Sequence, residues 1–224
     1  MRLPPTGVNR AFADWLSYMS YKKDMYGSLQ LPVFLQDRTV QSLEELCERV
    51  FPTAALHGQQ DPDFFAGRAI LTMRNIHLAE LNNQVTASLP GDLSVRYSVD
   101  KALQDNVHHD TDDYTTEFLQ SVDLPGLPPS ILRLKKNMPV MLLRNLRPSE
   151  GLCNGTRLLI TDLLPHVIKA RVLTGDYCGI EHFPVRPCFA ITVNKSQGQS
   201  LQTVGIDLRV PAFSHGQLPG PYPL

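Results

Sequence analysis

The densest group of polar side chains in this 224-residue chain lies between Thr192 and Ser200. It follows the apolar run 188–192, which predicts a buried strand, so the polar groups fall at the C-terminal edge of a sheet, where α/β folds bind ligands. The Lys195 ammonium can pair with a phosphate, Ser196 and Gln197 can hydrogen-bond to a phosphate or a base, and Gly198 lets a ligand approach the backbone. The pattern indicates a phosphate or nucleic-acid site, although a capped, solvated helix start explains the same residues.

This polar loop is not the phosphate loop of a P-loop nucleotidase. That loop needs glycines where this chain has Phe189 and Asn194, ahead of Lys195 and Ser196. The pattern G-x-x-x-x-G-K-[ST] occurs nowhere in the sequence.

A second polar pair, Arg74 and Asn75, follows another short buried strand, 69–72, and could contact nucleic acid or cap a helix. Residues 1–130 contain ten Lys and Arg against 17 Asp and Glu, whereas residues 131–224 contain 11 against five. This asymmetry permits a nucleic-acid-facing C-terminal half. Six basic residues there could follow a row of phosphates or could simply be solvated: Arg133, Lys135, Lys136, Arg144, Arg147 and Arg157.

The elements that position these residues form a strand, turn and helix pattern. The capping box that begins at Ser42 predicts a helix that Pro52 ends, and apolar residues at helical spacing predict another helix over 76–89. The strand at 69–72 and the helix after it are half of a βαβ unit, which is typical of a parallel α/β sheet. Further predicted elements are helices at 12–23 and 194–201 and a strand at 204–208.

Between residues 126 and 187 the pattern changes to short strands. These are predicted at 139–143, 156–161 and 167–173, with a tight hairpin turn at Asn154 and Gly155. We therefore expect a small β-barrel or β-rich insertion that interrupts the α/β domain.

Composition excludes several classes of protein. No run of 18 apolar residues occurs, so we expect no transmembrane helix and no membrane partner. The four cysteines form no C-x-x-C pair, so we expect no metal site and a reduced, intracellular protein. The start of the chain has no apolar segment of the signal-peptide kind.

Several ordered motifs resemble the Helitron-type, ATP-dependent DNA helicases of the PIF family, which belong to superfamily one and move 5′ to 3′. The resemblance spans nearly the whole chain. Its motifs lie at residues 12–16, 42–46, 68–82, 138–145, 151–158, 183–186, 189–199 and 213–218.

The resemblance implies a fold of the α/β class: an incomplete RecA-like second motor domain with a parallel sheet, interrupted by a small SH3-like β-barrel insertion. It assigns residues 1–60 to a helical linker, 61–125 to the first part of the second motor domain (2A), 126–182 to a shortened SH3-like 2B domain, and 183–224 to a truncated return segment of 2A. The residues implied to face DNA are Thr192, Asn194, Lys195, Ser196, Arg74 and Asn75. Those implied to lie on the nucleotide side are Arg2, Gln197, Gly198 and Gln199.

The activity implied is DNA unwinding driven by ATP and Mg²⁺, on single-stranded DNA, in repair, recombination or Helitron transposition, in an intracellular and nuclear location. The sequence lacks the first motor lobe with its phosphate loop and its acidic magnesium motif, and Pro219 to Pro221 replace the segment that carries the family's arginine finger. We therefore expect a fragment that binds no ATP and unwinds nothing alone, with the missing lobe as a possible partner. This leaves open whether the chain is itself an enzyme.

Two alternatives remain. One is a non-catalytic module that binds single-stranded DNA. The other is a decayed transposon product that does not fold stably, with Phe189 and Ile191 partly uncovered.

Overall fold

A computed structural model describes residues 33–58, 62–97, 128–165, 167–173, 178–181 and 184–209, together with the single positions 7, 10 and 14. The helix predicted at 12–23 and the motif at 213–218 lie outside this part of the chain, apart from Asp14. The helices are α1 (Val33–Gln36), α2 (Leu43–Val50), α3 (Thr53–Leu56), α4 (Pro62–Ala66), α5 (Asn75–Ser88) and α6 (Val193–Ser196). The strands are β1 (Arg68–Thr72), β2 (Ser94–Tyr97), β3 (Ile131–Leu134), β4 (Pro139–Leu142), β5 (Arg157–Leu163), β6 (Ile168–Val172), β7 (Cys178–Glu181), β8 (Val185–Pro187), β9 (Ala190–Thr192) and β10 (Thr203–Asp207).

A three-stranded parallel sheet of order β10-β1-β9 forms the α/β part, as the sequence predicted. Helix α2 begins where expected, because the Ser42 side chain accepts a hydrogen bond from the Glu45 amide. This helix packs on β10 so closely that a Cβ at Gly205 would lie 2.7 Å from Val50 Cγ2. Helix α5 joins β9 through Asn82, which accepts from the Ala190 amide at 3.0 Å.

The β-rich part is a five-stranded antiparallel sheet of order β7-β6-β5-β4-β8, beside a separate β2-β3 pair. Strand β5 lies between β4 and β6, and its pairing with β6 has a register shift between Ile160 and Asp162. The prediction of a β-rich segment between two halves of an α/β domain is confirmed, because β1 precedes this sheet and β9 and β10 follow it.

The prediction of a tight hairpin at Asn154 and Gly155 was wrong about the length of the connection between the two strands. Strands β4 and β5 pair directly, but the chain between them makes a longer excursion that contains a 3-10 turn (Pro148–Glu150) and a bridge from Arg147 to Leu152. Gly155 (φ 95°) closes the end of this excursion, where its amide donates to the Leu142 carbonyl.

The polar helix predicted at 194–201 was also wrong in length. Helix α6 is one turn that ends at Ser196, and Gly198 follows with a φ of 82°. This left-handed conformation is incompatible with a continuing α-helix, so the rest of the segment is a loop.

One apolar core connects the two parts. The ring of Phe189 packs edge to face against the rings of Phe51 and Phe65, and the centres of the Phe51 and Phe189 rings are 5.3 Å apart. Phe189 and Ile191 are 0% and 3% exposed, so the expectation that they stay partly uncovered was wrong. Met141 and Cys188 belong to the same apolar cluster as Ile191, on the face of the sheet away from α5. Within the part of the chain the structure describes, no helix is long and apolar enough to span a bilayer.

Candidate nucleic-acid interface

The C-terminal edge of the parallel sheet gathers several of the predicted site residues. Thr72, at the end of β1, is in register with Thr192 of β9 and with Asp207 of β10. Arg74 then caps α5, and Asn194 and Lys195 follow Thr192 on α6. Both polar segments therefore leave the same edge of one sheet.

A cleft of about 720 Å³ opens beside this edge. Two segments provide most of its wall: residues 194–200, which we call the binding loop, and residues 150–157, which we call the turn segment. Ala66, Val172 and Leu173 complete the lining. The cleft thus lies between the α/β part and the antiparallel sheet.

Two hydrogen bonds join the binding loop to the turn segment. Lys195 Nζ donates to Asn154 Oδ1 at 2.6 Å, and Gln199 Nε2 donates to the Gly155 carbonyl at 3.1 Å. The position of Asn154 is itself fixed, because its backbone N–H donates to Asn145 Oδ1 at 2.8 Å. The Lys195 side chain is therefore oriented by the antiparallel sheet as well as by its own helix.

The predicted residues divide into two groups. Asn194, Lys195, Gln197, Gly198 and Gln199 line the cleft. Of the others, Ser196 is half-buried and donates to the Val193 carbonyl at 2.7 Å, and Thr192 is half-buried at the end of its strand. Arg74 and Asn75 are exposed at the start of α5, outside the cleft lining. Arg2 lies outside the described residues.

Sequence reasoning missed the contribution of Asn145 and Asn154, which it assigned to a motif and to a turn. The available signal was their position in two stretches, 138–145 and 151–158, that carry the family resemblance. Their contact with Lys195 spans 41 residues and leaves no local pattern.

Two of the six basic residues proposed to follow phosphates are internal, so this part of the prediction was wrong. Arg157 is 5% exposed and donates to the carbonyls of Phe65, Ala66 and Arg68. Lys135 is 9% exposed and donates to the Leu89 carbonyl at 2.5 Å. Both cations stabilise the C-terminal end of a helix, where carbonyls lack helical partners. The four that are exposed are Arg133, Lys136, Arg144 and Arg147.

A second polar cluster lies at the end of β10. Arg209 binds Asp207 through Nε at 2.9 Å and Glu80 through Nη2 at 3.0 Å. Burial acts to raise the pKa of Asp207, but hydrogen bonds from Arg209 outweigh it and hold that pKa below its ordinary value. The Arg209 hydrogen bond likewise lowers the pKa of Glu80. These groups are paired with one another at the sheet edge.

The described residues do not fit a complete ATP and Mg²⁺ site. Among them, no three His, Cys, Asp or Glu side chains converge to hold a metal ion. Phe189 and Asn194 occupy the positions at which a phosphate loop ending in Lys195 and Ser196 would have glycines.

The fold and cleft define a class: an α/β domain with an antiparallel β-rich insertion and a polar, lysine-containing loop at the sheet edge. The crystal structure of Pif1 helicase from Candida albicans has this fold, with a TM-score of 0.55 at 18% identity over 89% of this chain and 48% of that one. In sequence, the model of "DNA helicase Pif1, 2B domain" matches residues 117–163.

Curated relatives agree with these two matches. The ATP-dependent DNA helicase PIF1 of Mus musculus is 32% identical over 139 residues, which cover 52% of this chain and 21% of the relative. The Rattus norvegicus protein of the same name is 30% identical, over 52% and 22%. This chain thus spans about a fifth of the length of these relatives. Together the matches support the C-terminal part of a PIF1-family helicase, and the prediction of that family is confirmed.

Proposed function

We propose that this chain binds the phosphate backbone of single-stranded DNA across the cleft, as the second lobe of an ATP-driven 5′-to-3′ DNA helicase. The observation that carries the proposal is the position of Lys195, whose ammonium lies between the binding loop and the turn segment at a cleft of about 720 Å³. The volume of the cleft far exceeds that of a single small ion.

The donors around the cleft suit phosphate oxygens. A lysine ammonium has three N–H donors. Asn154 accepts a hydrogen bond from one of them, so two remain for phosphate. Asn194 adds an amide donor beside it. Contacts of this kind fix a strand in place without reading its bases, so binding should depend little on base sequence.

Within this proposal Thr192, Asn194, Lys195, Ser196, Arg74 and Asn75 face DNA, and Gln197 to Gln199 with Arg2 lie toward the nucleotide. The β-rich part, 126–182, acts as an SH3-like 2B domain between the two 2A segments, 61–125 and 183–224. ATP and Mg²⁺ would be bound mainly by a first motor lobe, which is the expected partner. The work of the whole enzyme would be nuclear DNA repair, recombination or Helitron transposition.

The second candidate function is a stand-alone module for binding single-stranded DNA, without catalysis. The observation that favours it is that Phe189 and Asn194 stand where a phosphate loop has glycines. Both functions use the same DNA surface, so addition of a first motor lobe with an intact phosphate loop separates them. Restored ATP hydrolysis supports the helicase lobe, and its absence supports the binding module.

The test is fluorescence anisotropy of labelled oligo-dT with the full chain at several salt concentrations. We expect salt-sensitive binding that Lys195→Ala weakens about fivefold at low salt. The slope of log affinity against log salt should fall by about 0.7, because one phosphate contact to a single strand is lost. Lys169→Ala on β6 removes the same charge outside the cleft and should change neither quantity. Absence of binding by the folded, unsubstituted chain would refute the proposal.

A further inference from the structure

Three polar residues from two parts of the fold form a continuous series at the cleft. Asn145 Oδ1 accepts from the backbone N–H of Asn154 at 2.8 Å, and the side-chain Oδ1 of Asn154 accepts from Lys195 Nζ at 2.6 Å. Asn145 and Asn154 lie in the excursion between β4 and β5, whereas Lys195 lies on α6. The series therefore runs from the antiparallel sheet to the edge of the parallel sheet.

The contact with Asn154 orients the Lys195 ammonium without neutralising it. An amide oxygen is uncharged and accepts a hydrogen bond from one of the three N–H donors of the ammonium. The full positive charge and two donors therefore stay available. A free lysine side chain loses rotamer entropy when it binds, and a side chain that is already held loses less. Asn154 thus does for Lys195 what a carboxylate in its place could not, because a carboxylate would compete with the phosphate.

This contact contributes little to the stability of the fold. Asn154 and Lys195 are both exposed, and hydrogen bonds at such positions compete with water. Among the described residues the positive φ angles outside glycine are confined to Asn137, so the Asn154 backbone conformation does not require asparagine. The side chain can be replaced without backbone strain.

We propose that Asn154 is a positioning residue for Lys195, and that Asn145 anchors Asn154, so that the antiparallel sheet sets the geometry of the phosphate-binding lysine. The proposal rests on the proposed function, because it concerns how Lys195 meets a phosphate. It assigns a binding role to the turn segment through Lys195, beyond any direct contact of that segment with DNA.

The experiment compares four variants of the full chain by anisotropy with labelled oligo-dT over a salt series. Asn154→Ala should weaken binding about threefold, with the salt slope unchanged because no charge is lost. Asn154→Asp should weaken binding further and reduce the slope, because its carboxylate neutralises Lys195. The double substitution Asn154→Ala with Lys195→Ala should bind no more weakly than Lys195→Ala alone.

The matched control is Asn83→Ala, because Asn83 is an exposed asparagine on α5 outside the cleft. This variant should bind like the unsubstituted chain. Additive losses in the double variant, or unchanged binding by Asn154→Ala, would overturn this inference while Lys195→Ala still supports the proposed function. No binding by the unsubstituted chain would overturn both. Thermal melting of each variant separates a binding loss from unfolding. If Asn154→Ala melts low enough to be partly unfolded in the binding assay, unfolding accounts for its weaker binding, and this result would also count against the inference.

Discussion

The Arg157 guanidinium donates from Nη2 to the carbonyl oxygen of Phe65 at 2.9 Å, across 92 residues of sequence. Two further donations reach the carbonyls of Ala66 and Arg68, and Nε has no partner in the structure. The Arg157 side chain at the start of β5 thus donates hydrogen bonds to backbone carbonyls at the end of α4 and the start of β1. The antiparallel sheet is joined to the α/β part by this buried contact.

Arg157→Met should lower the free energy of unfolding by about 3 kcal/mol, because it removes three hydrogen bonds and leaves buried carbonyls without a donor. Urea unfolding followed by circular dichroism measures the change. Arg133→Met, on the exposed side of β3, is the control and should change stability little. Equal stability of the two variants would show that the Arg157 contacts add nothing.

Gly205→Ala should also be destabilising, by about 1–3 kcal/mol, because the new methyl group would lie 2.7 Å from Val50 Cγ2 and 2.9 Å from Leu46 Cδ1. Thermal melting is a sufficient measurement. Gly58→Ala is the matched control, since a Cβ there meets only ordinary contacts at 3.5 Å or more. Combining Gly205→Ala with Val50→Ala should cost less than the sum of the two, and additive losses would contradict the proposed packing of α2 on β10.

Stability should fall at acid pH through Asp207. Its pKa is held below the ordinary value in the folded protein, where hydrogen bonds from Arg209 outweigh the effect of burial. The folded state therefore binds fewer protons, and the stabilisation is complete above about pH 4 and is lost as the pH falls through the folded pKa. Asp207→Asn should cost about 1 kcal/mol at pH 7 and progressively less below pH 4.

Urea unfolding of both proteins between pH 7 and pH 3 measures this difference. The control is Asp92→Asn, an exposed carboxylate beyond the end of α5. A difference between Asp207→Asn and the unsubstituted chain that stays constant across the pH range would exclude the ion pair with Arg209 as its source.

Local signals in the sequence predicted the local elements. The capping box at Ser42 gives α2 at the expected residue, and the 3.6-residue repeat gives α5 with Leu78, Leu81 and Val85 buried. The same method overextended the helix after Asn194, because the polar residues there are compatible with a helix, whereas the backbone leaves the helical region at Gln197 (ψ 128°) and Gly198 (φ 82°).

The roles of charged residues could not be predicted in this way. Arg157 and Lys135 look like members of a basic surface, yet each binds the end of a helix that is 46 or more residues away. Asn154 meets Lys195 by the same kind of long-range contact. Such roles depend on which segments the fold brings together, and the sequence showed the basic excess without showing which cations stay on the surface.

The register between Thr72 and Asp207 has a consequence for the order of folding, since these neighbours are 135 residues apart in the chain. Strand β1 is synthesised before the antiparallel sheet, but both of its partners, β9 and β10, come after the whole of that sheet. The β5-β6 and β6-β7 pairs close short loops and can form first, whereas the parallel sheet must close across a long one. A growing chain therefore carries β1 as an apolar strand without its neighbours until almost all of the described residues have been made.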